Sequence, residues 1–312
     1  MNAQLPKAIV AWLFIFSSTS AISQLKPDVL ESKYDLARGH SQDTQYFIME
    51  SRLTRFNSNG TRMEPDIYRL YLRCVPGKSG ADEYTCLKFT VTSGQSPEVS
   101  IPVLANWKYN FSRRSDEKDE KGQLFGIEHS RFEHLKDENG SSIFIDKSYH
   151  IYNAFIDFHS MNVFADKTPK GKGVQDLSHI GDTVVHYASW SEPPVNFGSQ
   201  IEKGSIFKNG KITLGFKGLS LVNEKSCAVI EYDSGESSFT MMMKPTPDIE
   251  IKTTGTSHYW GDIFKALGTG WIQKATLHEI VVSETAVPGQ SNKTNATIER
   301  NIIIQNVHSI NF

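Results

Sequence analysis

The sequence predicts a mainly β protein: an antiparallel meander that forms a curved sheet, a half-barrel or a sandwich, with few short helices. The first observation is that the C-terminal third contains short runs in which apolar and polar residues alternate, separated by turn residues. The second is the composition, because 38% apolar residues and 18 Phe supply enough side chains for a packed core.

The N-terminus has the pattern of a secretory signal peptide. Lys7 precedes an unbroken apolar stretch, Ala8–Phe16, and the small residues Ala21 and Ser23 follow it. This stretch is much shorter than the ~20 apolar residues of a membrane-spanning helix. We therefore expect cleavage near Ser23, a secreted or periplasmic mature chain, and no membrane span.

Charge and polarity divide the rest of the chain. After the signal peptide, residues 1–23, we predict an N-terminal arm over 24–45 and an N-terminal β subdomain over 46–112. Residues 113–122 contain a run of charged side chains, which is typical of a solvated linker. The remainder, 123–312, is predicted to be a C-terminal antiparallel β domain.

Alternation places individual strands. Ile67–Val75 and Thr85–Thr92 are predicted to pair as a hairpin, and Tyr149–Phe158 is predicted to be a strand. Lys211–Lys217 follows Asn209-Gly210, a turn signal typical of hairpins. Further strands are expected at Cys227–Tyr232, Ser238–Met243, Ile249–Thr253, Tyr259–Leu267, Trp271–Val282 and Ile298–Val307.

Three cysteines are few for an exported chain, so we expect a sheet core rather than disulfides to stabilise the fold. Cys74 and Cys86 lie on the two strands of the predicted hairpin. Export of the chain to an oxidising compartment favours a disulfide between them. Strand alternation opposes it, because it puts the two sulfurs on opposite faces unless a bulge shifts the register. Two alternatives therefore remain for this pair: a disulfide, or two free thiols. Cys227, in an apolar run, is predicted to be a buried free thiol.

A resemblance adds a class of ligand. The segment Lys211–Met243, with a strand, a turn and a second strand carrying Cys-Ala-Val-Ile, resembles uncharacterised secreted bacterial β-rich families. Their meanders are similar to the curved half-barrels of periplasmic lipoprotein carriers. The resemblance implies an apolar ligand on the concave face of a sheet, and it transfers no site residue.

Asp157 and His159 are the candidate catalytic residues. On a strand over Tyr149–Phe158 they would share one face, where a carboxylate beside an imidazole raises the basicity of the ring. Together they would form an acid–base pair or two metal ligands. The alternative is a pair of cross-strand hydrogen-bonding residues.

Metal binding has no sequence signature. His179, His186 and His258 would add ligands only if the fold brought them together, since their spacing matches no compact zinc motif. We therefore assign no metal site and leave the cofactor unknown.

Four aromatic side chains near strand ends are candidate ligand contacts: Tyr187, Trp190, Tyr259 and Trp260. Exposed rings of this kind stack on sugars or line an apolar cleft, whereas buried ones complete the core. The expected partner is accordingly a small apolar ligand or a glycan.

Charge argues against a nucleic-acid partner. Loss of Lys7 with the signal peptide leaves 32 basic against 35 acidic residues, a net charge of −3. The chain also contains five acceptor triplets for N-glycosylation, which apply if the host is eukaryotic: Asn59, Asn110, Asn139, Asn292 and Asn295.

Three functions fit these features. The first is a secreted, non-enzymatic binding protein that holds an apolar ligand or a glycan on a curved sheet. The second is an extracytoplasmic hydrolase or metal-assisted enzyme that uses Asp157 and His159. The third is an interaction protein of a surface assembly.

Overall fold

The computed structural model describes residues 27–57, 59–77, 81–112, 125–190, 204–246, 248–289 and 292–312. Contacts divide the chain into two units, 1–32 and Lys33–Phe312. The described part of the first unit contains a short helix, α1 (Pro27–Glu31). The predicted signal peptide, residues 1–23, lies outside the described residues.

The second unit is a mainly β structure in which every described strand pairing is antiparallel, so the predicted fold class is confirmed. The described residues form thirteen strands: β1 (Gln45–Phe56), β2 (Asp66–Val75), β3 (Ala81–Ser93), β4 (Val99–Ser100), β5 (Trp107–Ser112), β6 (Thr183–Val185), β7 (Ile206–Lys208), β8 (Thr213–Val222), β9 (Lys225–Asp233), β10 (Ser237–Thr246), β11 (Ile249–Ala266), β12 (Ile272–Ala286) and β13 (Thr294–Val307). Single 3₁₀ turns occur at Pro102–Leu104, His129–Phe132, Val174–Asp176 and Tyr187–Trp190.

These strands form one open sheet. Its main path runs β4-β3-β2-β1-β13-β12-β11-β9-β8-β6, with β5 beside β3 and β10 between β11 and β7. The long strand β11 serves two neighbours, because its first half pairs with β10 and its second half pairs with β9. The last strand, β13, lies between β12 and β1 in the middle of the sheet.

One face of the sheet is covered by a long helix, α2 (Ile145–Ala165). Phe155 packs against Phe89 of β3 with ring centroids 5.9 Å apart, and Phe158 packs against Phe47 of β1 at 5.1 Å. We call the covered face the inner face and the opposite one the outer face. The hydrophobic core lies between α2 and the inner face.

The predicted strand Tyr149–Phe158 is wrong, because these residues belong to α2. The buried side chains Ile151, Phe155 and Phe158 recur at three- and four-residue spacing, which is the period of a helix face. The segment is rich in aromatic and β-branched residues, whose strand preference is overridden here by burial against the sheet.

The hairpin of β2 and β3 is confirmed, and it contains a β-bulge. The bulge skips Leu87, so that Cys86 pairs with Leu72 and Cys74 pairs with Tyr84. Both sulfurs therefore lie on the buried face, contrary to the simple alternation, and the two cysteines do not form a disulfide. The prediction of a buried free thiol is also confirmed for Cys227.

The predicted linker, 113–122, lies entirely outside the described residues. On either side of it the sheet is continuous, because β1 pairs with β2 along one edge and with β13 along the other.

Candidate functional site

The two candidate catalytic residues do not form a pair, because α2 is a helix and residues two apart on a helix point in different directions. His159 is fully buried, with its Nε2 atom 2.9 Å from the Tyr109 hydroxyl. It stacks on Phe111 at 4.4 Å. Burial lowers the pKa of His159 to about 3, so the ring is neutral and packed as part of the core.

Asp157 lies on the other side of α2 and contacts the sheet. Its carboxylate forms an ion pair with Arg300 of β13, and the Arg300 guanidinium also donates from Nε to Glu279 of β12 at 2.6 Å. The Ser257 hydroxyl donates to the second oxygen of Glu279 at 2.5 Å. We call Asp157, Arg300, Glu279 and Ser257 the arginine network; it ties α2 to three strands.

Burial dominates the electrostatics of this network. It raises the pKa of Asp157 to about 6, and the neighbouring Glu279 acts in the same direction, whereas Arg300 opposes the shift. Arg300 is 10% exposed and Asp157 is 15% exposed, so little water screens the pair. Two carboxylates around one guanidinium leave the network with a net negative charge when all are ionised.

Sequence reasoning missed Arg300 and Glu279, although strand alternation carries a signal for both. Arg300 is in phase with the buried residues Ile302 and Ile304, and Glu279 is in phase with Leu277. A charged residue at an inward position of an apolar strand indicates a buried ion pair.

A second buried charge cluster lies at the C-terminal end of α2. Lys265 donates to the last helical carbonyl, that of Ala165, at 2.6 Å, and its Nζ lies 3.5 Å from Asp166. The His40 ring also contacts Asp166, at 2.8 Å, and stacks on Trp271 at 4.0 Å. A cation at a helix C-terminus offsets the helix dipole, so this cluster anchors the helix end.

The three histidines considered as metal ligands have separate partners. His179 lies beside Ser178 and Asp182. His186 is buried, and its ring accepts a hydrogen bond from the backbone N–H of Ala188. His258 contacts Asp233 at 3.0 Å. In the described ranges no three His, Cys, Asp or Glu side chains are grouped as a metal site would require.

The four candidate aromatic contacts also separate. Tyr259 faces inward and donates to Asn209 at 2.9 Å, and Tyr187 packs on the buried ring of His186 at 4.6 Å. Trp260 lies partly exposed on the outer face. The side chain of Trp190 lies outside the described part of the structure.

Trp260 is the centre of a row of side chains across the outer face. His258 lies 5.0 Å from it and His278 lies 5.9 Å away on β12, between ring centroids. The row continues through a hydrogen bond of 2.6 Å between His278 and Asn301 of β13. We call this set the outer aromatic row.

The inner face continues past α2 along the first half of β11 and its neighbours. Strand register places Phe207, Phe239, Gly255, Ser283 and Ala296 side by side on β7, β10, β11, β12 and β13. The two aromatic rings stand beside three small side chains. An added Cβ at Gly255 would lie 2.6 Å from the Phe239 ring, so a glycine is required there.

Further apolar side chains flank this row on the same face. Val281 and Ile298 lie on the side of the arginine network, and Met241 and Met243 lie on the side of the β10–β11 turn. Every one of these residues is partly exposed. We call the following set the inner shelf: Phe207, Phe239, Met241, Met243, Gly255, Val281, Ser283, Ala296 and Ile298.

The inner shelf is wide enough for a small ligand. Strands lie ~4.8 Å apart, so its span from β10 to β13 is about 14 Å. Hydroxyl groups border it, including Thr253 and Thr285, whose oxygens are 2.9 Å apart. The surface is thus apolar with polar edges, as small-molecule sites commonly are.

Two other depressions differ in character. One, of about 650 Å³, is lined by Val103, Arg131, His134 and Asp137 among other, mostly polar residues. A smaller one, of about 230 Å³, lies beside Asn223 and is also mostly polar. Neither is lined by Phe or Met.

Comparison with known proteins gives no relative. No family model matches the chain, and no curated protein matches its sequence. The functional argument therefore depends on the geometry described above.

Proposed function

We propose that the chain is an extracytoplasmic binding protein, without enzymatic activity, that holds a small apolar ligand on the inner shelf. The observation that carries this proposal is the row of partly exposed Phe, Met, Val and Ile side chains on one face of β7 and β10–β13. Because exposing apolar surface to water is unfavourable, covering such a row with an apolar ligand is favourable.

The residue types support a ligand rather than a protein partner. Met241 and Met243 have flexible, polarisable side chains, which adapt to ligands of different shape. The Phe239 ring lies over Gly255, and the small residues Ser283 and Ala296 continue the same row, so the shelf combines large apolar side chains with small ones.

Export is supported by the N-terminal sequence pattern of a short apolar stretch followed by small residues. Neither described helix has the length and apolar character that a membrane span needs. The binding function is favoured over catalysis because Asp157 is ion-paired with Arg300 and His159 is enclosed by aromatic rings.

The test is a matched pair of lysine substitutions. We expect Met241→Lys to weaken binding of a fluorescent fatty acid at least tenfold, because the new charge would have to lie against the apolar ligand. Ile280→Lys is the control, since Ile280 is 45% exposed on the outer face of β12. Fluorescence titration of both purified variants gives the two dissociation constants.

The outcomes separate the ligand classes. Equal weakening by both substitutions, or no binding of any apolar probe by the wild type, would contradict the inner shelf as the site. Binding of a glycan that survives Met241→Lys and disappears in Trp260→Ala would instead place the site on the outer aromatic row.

A further inference from the structure

The outer face of β12 exposes two neighbouring apolar side chains. Ile280 is 45% exposed and Val282 is 51% exposed, and they lie two residues apart on the same face. We call them the outer apolar pair. The residues directly opposite the pair on β11 and β13 are polar, and Trp260 is the diagonal neighbour of Ile280.

An N-glycosylation triplet lies directly beside this pair. Asn295 pairs with Glu284, and Thr297 pairs with Val282, which makes Asn295 the diagonal neighbour of Val282 on the outer face. Diagonal neighbours have Cα atoms ~7–8 Å apart. The Asn295 side chain is exposed and lies on the same face as Val282.

The other acceptor triplets are equally accessible. The asparagines Asn59, Asn110, Asn139 and Asn292 are all exposed. Burial would make an asparagine unavailable to a transferase, so exposure at all five positions is what acceptor sites require.

Two of these triplets lie in turns of the same geometry. The Asn57 side chain accepts from the backbone of Thr61 at 2.8 Å, and the Asp137 side chain accepts from the backbone of Ser141 at the same distance. Gly60 and Gly140 both have φ of +80° in these turns. The acceptor asparagine directly precedes the glycine each time and is exposed in an ordered turn.

We infer that the exposed triplets carry N-linked glycans and that the glycan on Asn295 covers the outer apolar pair. The Asn295 amide nitrogen attacks the anomeric carbon of a lipid diphosphate-linked oligosaccharide. A C–N bond forms, the C–O bond to the diphosphate breaks, the lipid diphosphate leaves, and the nitrogen loses one proton. The proposal needs export through a eukaryotic secretory pathway and is independent of the inner shelf.

The first experiment is expression of the full chain in eukaryotic cells, with the secreted protein weighed before and after treatment with a peptide N-glycosidase. We expect a loss of several glycan masses from the wild type. Asn295→Gln and Thr297→Ala should each remove one glycan, whereas Thr297→Ser keeps the triplet and should keep the glycan. No change of mass in the wild type would overturn the inference.

The second experiment tests the covering role. Asn295→Gln and Thr297→Ala should bind at least twofold more of a dye that fluoresces on apolar surfaces, and Thr297→Ser should match the wild type. Asn59→Gln is the control, since it removes a glycan from a different turn. Loss of the Asn295 glycan without a change in dye fluorescence would overturn the covering role, while fatty-acid binding reports separately on the inner shelf.

Discussion

Arg300 is the residue on which two carboxylates from different elements depend. It forms ion pairs with Asp157 of α2 and Glu279 of β12 at the same time, in a place with little water. Removing one partner of such a buried pair costs about 3–5 kcal/mol, because the remaining charge stays buried without compensation. Arg300 therefore contributes to the docking of α2 on the sheet.

Asp157 makes the stability of the protein depend on pH. Its pKa is raised from 3.8 to about 6 in the folded state, so between these values the folded chain binds a proton that the unfolded chain releases. The contribution of this group is therefore present at pH 4 and is lost as the pH rises through 6.

We expect Asp157→Asn to remove this dependence. Relative to the variant, the wild type should lose stability between pH 4 and pH 7, by at most about 3 kcal/mol for a shift of two pKa units. Urea unfolding of both proteins at pH 4, 5, 6 and 7 measures the difference. Parallel curves for the two proteins across this range would contradict the role given to Asp157.

At the scale of single residues, the sequence predicted burial better than partnership. Cys227 was predicted to be buried and free, and it is. The pairing of Asp157 with His159 failed because it assumed a strand, and the true partner, Arg300, lies 143 positions away along the chain. Alternation identifies which face a residue is on, whereas its partner depends on the order of strands.

Among the elements, α2 is held mainly by aromatic side chains. Phe158 is 1% exposed and contacts both Phe47 and Tyr84, while Phe144, which directly precedes the helix, is 75% exposed. Two phenylalanines close in sequence thus differ in burial, because Phe158 lies in the core and Phe144 is exposed to solvent.

This contrast gives a matched prediction. Phe158→Ala should destabilise the protein by about 3–5 kcal/mol, because it leaves a cavity between helix and sheet. Phe144→Ala should change the free energy of unfolding by less than about 0.5 kcal/mol. Chemical denaturation of both variants provides the measurement, and similar losses in the two would show that α2 does not dock through this face.

Local sequence patterns were sufficient to predict some of the strands and their pairing. The β2–β3 hairpin and the C-terminal meander were predicted from alternation and turn residues, since both depend on neighbours in sequence. Two predicted strands, Ile249–Thr253 and Tyr259–Leu267, proved to be parts of the single strand β11. The Asn209-Gly210 turn predicted a hairpin, yet β7 pairs with β10, so tertiary pairing overrode the local signal.

At the scale of the whole molecule, the decisive contact is the pairing of β1 with β13, which lie at opposite ends of the strand order along the chain. β13 pairs with β1 over eleven residue pairs and with β12 over twelve. No local pattern specifies this neighbour, because β1 and β13 are separated by almost the entire chain. The inner shelf depends on the same arrangement, since β13 supplies Ala296 and Ile298.

We predict that two truncations distinguish the contribution of β13 from that of the tail that follows it. A chain that ends at Lys293 lacks β13 and should show no cooperative unfolding, because β1 and β12 would each present an unpaired edge. A chain that ends at His308 loses only the tail, including the contact of Phe312 with Tyr71, and should unfold cooperatively. Thermal unfolding followed by circular dichroism distinguishes the two, and a cooperative transition in the shorter chain would contradict the central role of β13.

The central position of β13 also determines when the molecule can fold during its synthesis. Until β13 has emerged from the ribosome, β1 and β12 have no strand to join them, and the arginine network lacks its guanidinium. Contacts between distant positions form slowly, because the chain between them must first be brought together. The nascent chain consequently has no central strand, and no complete sheet, until β13 has been synthesised.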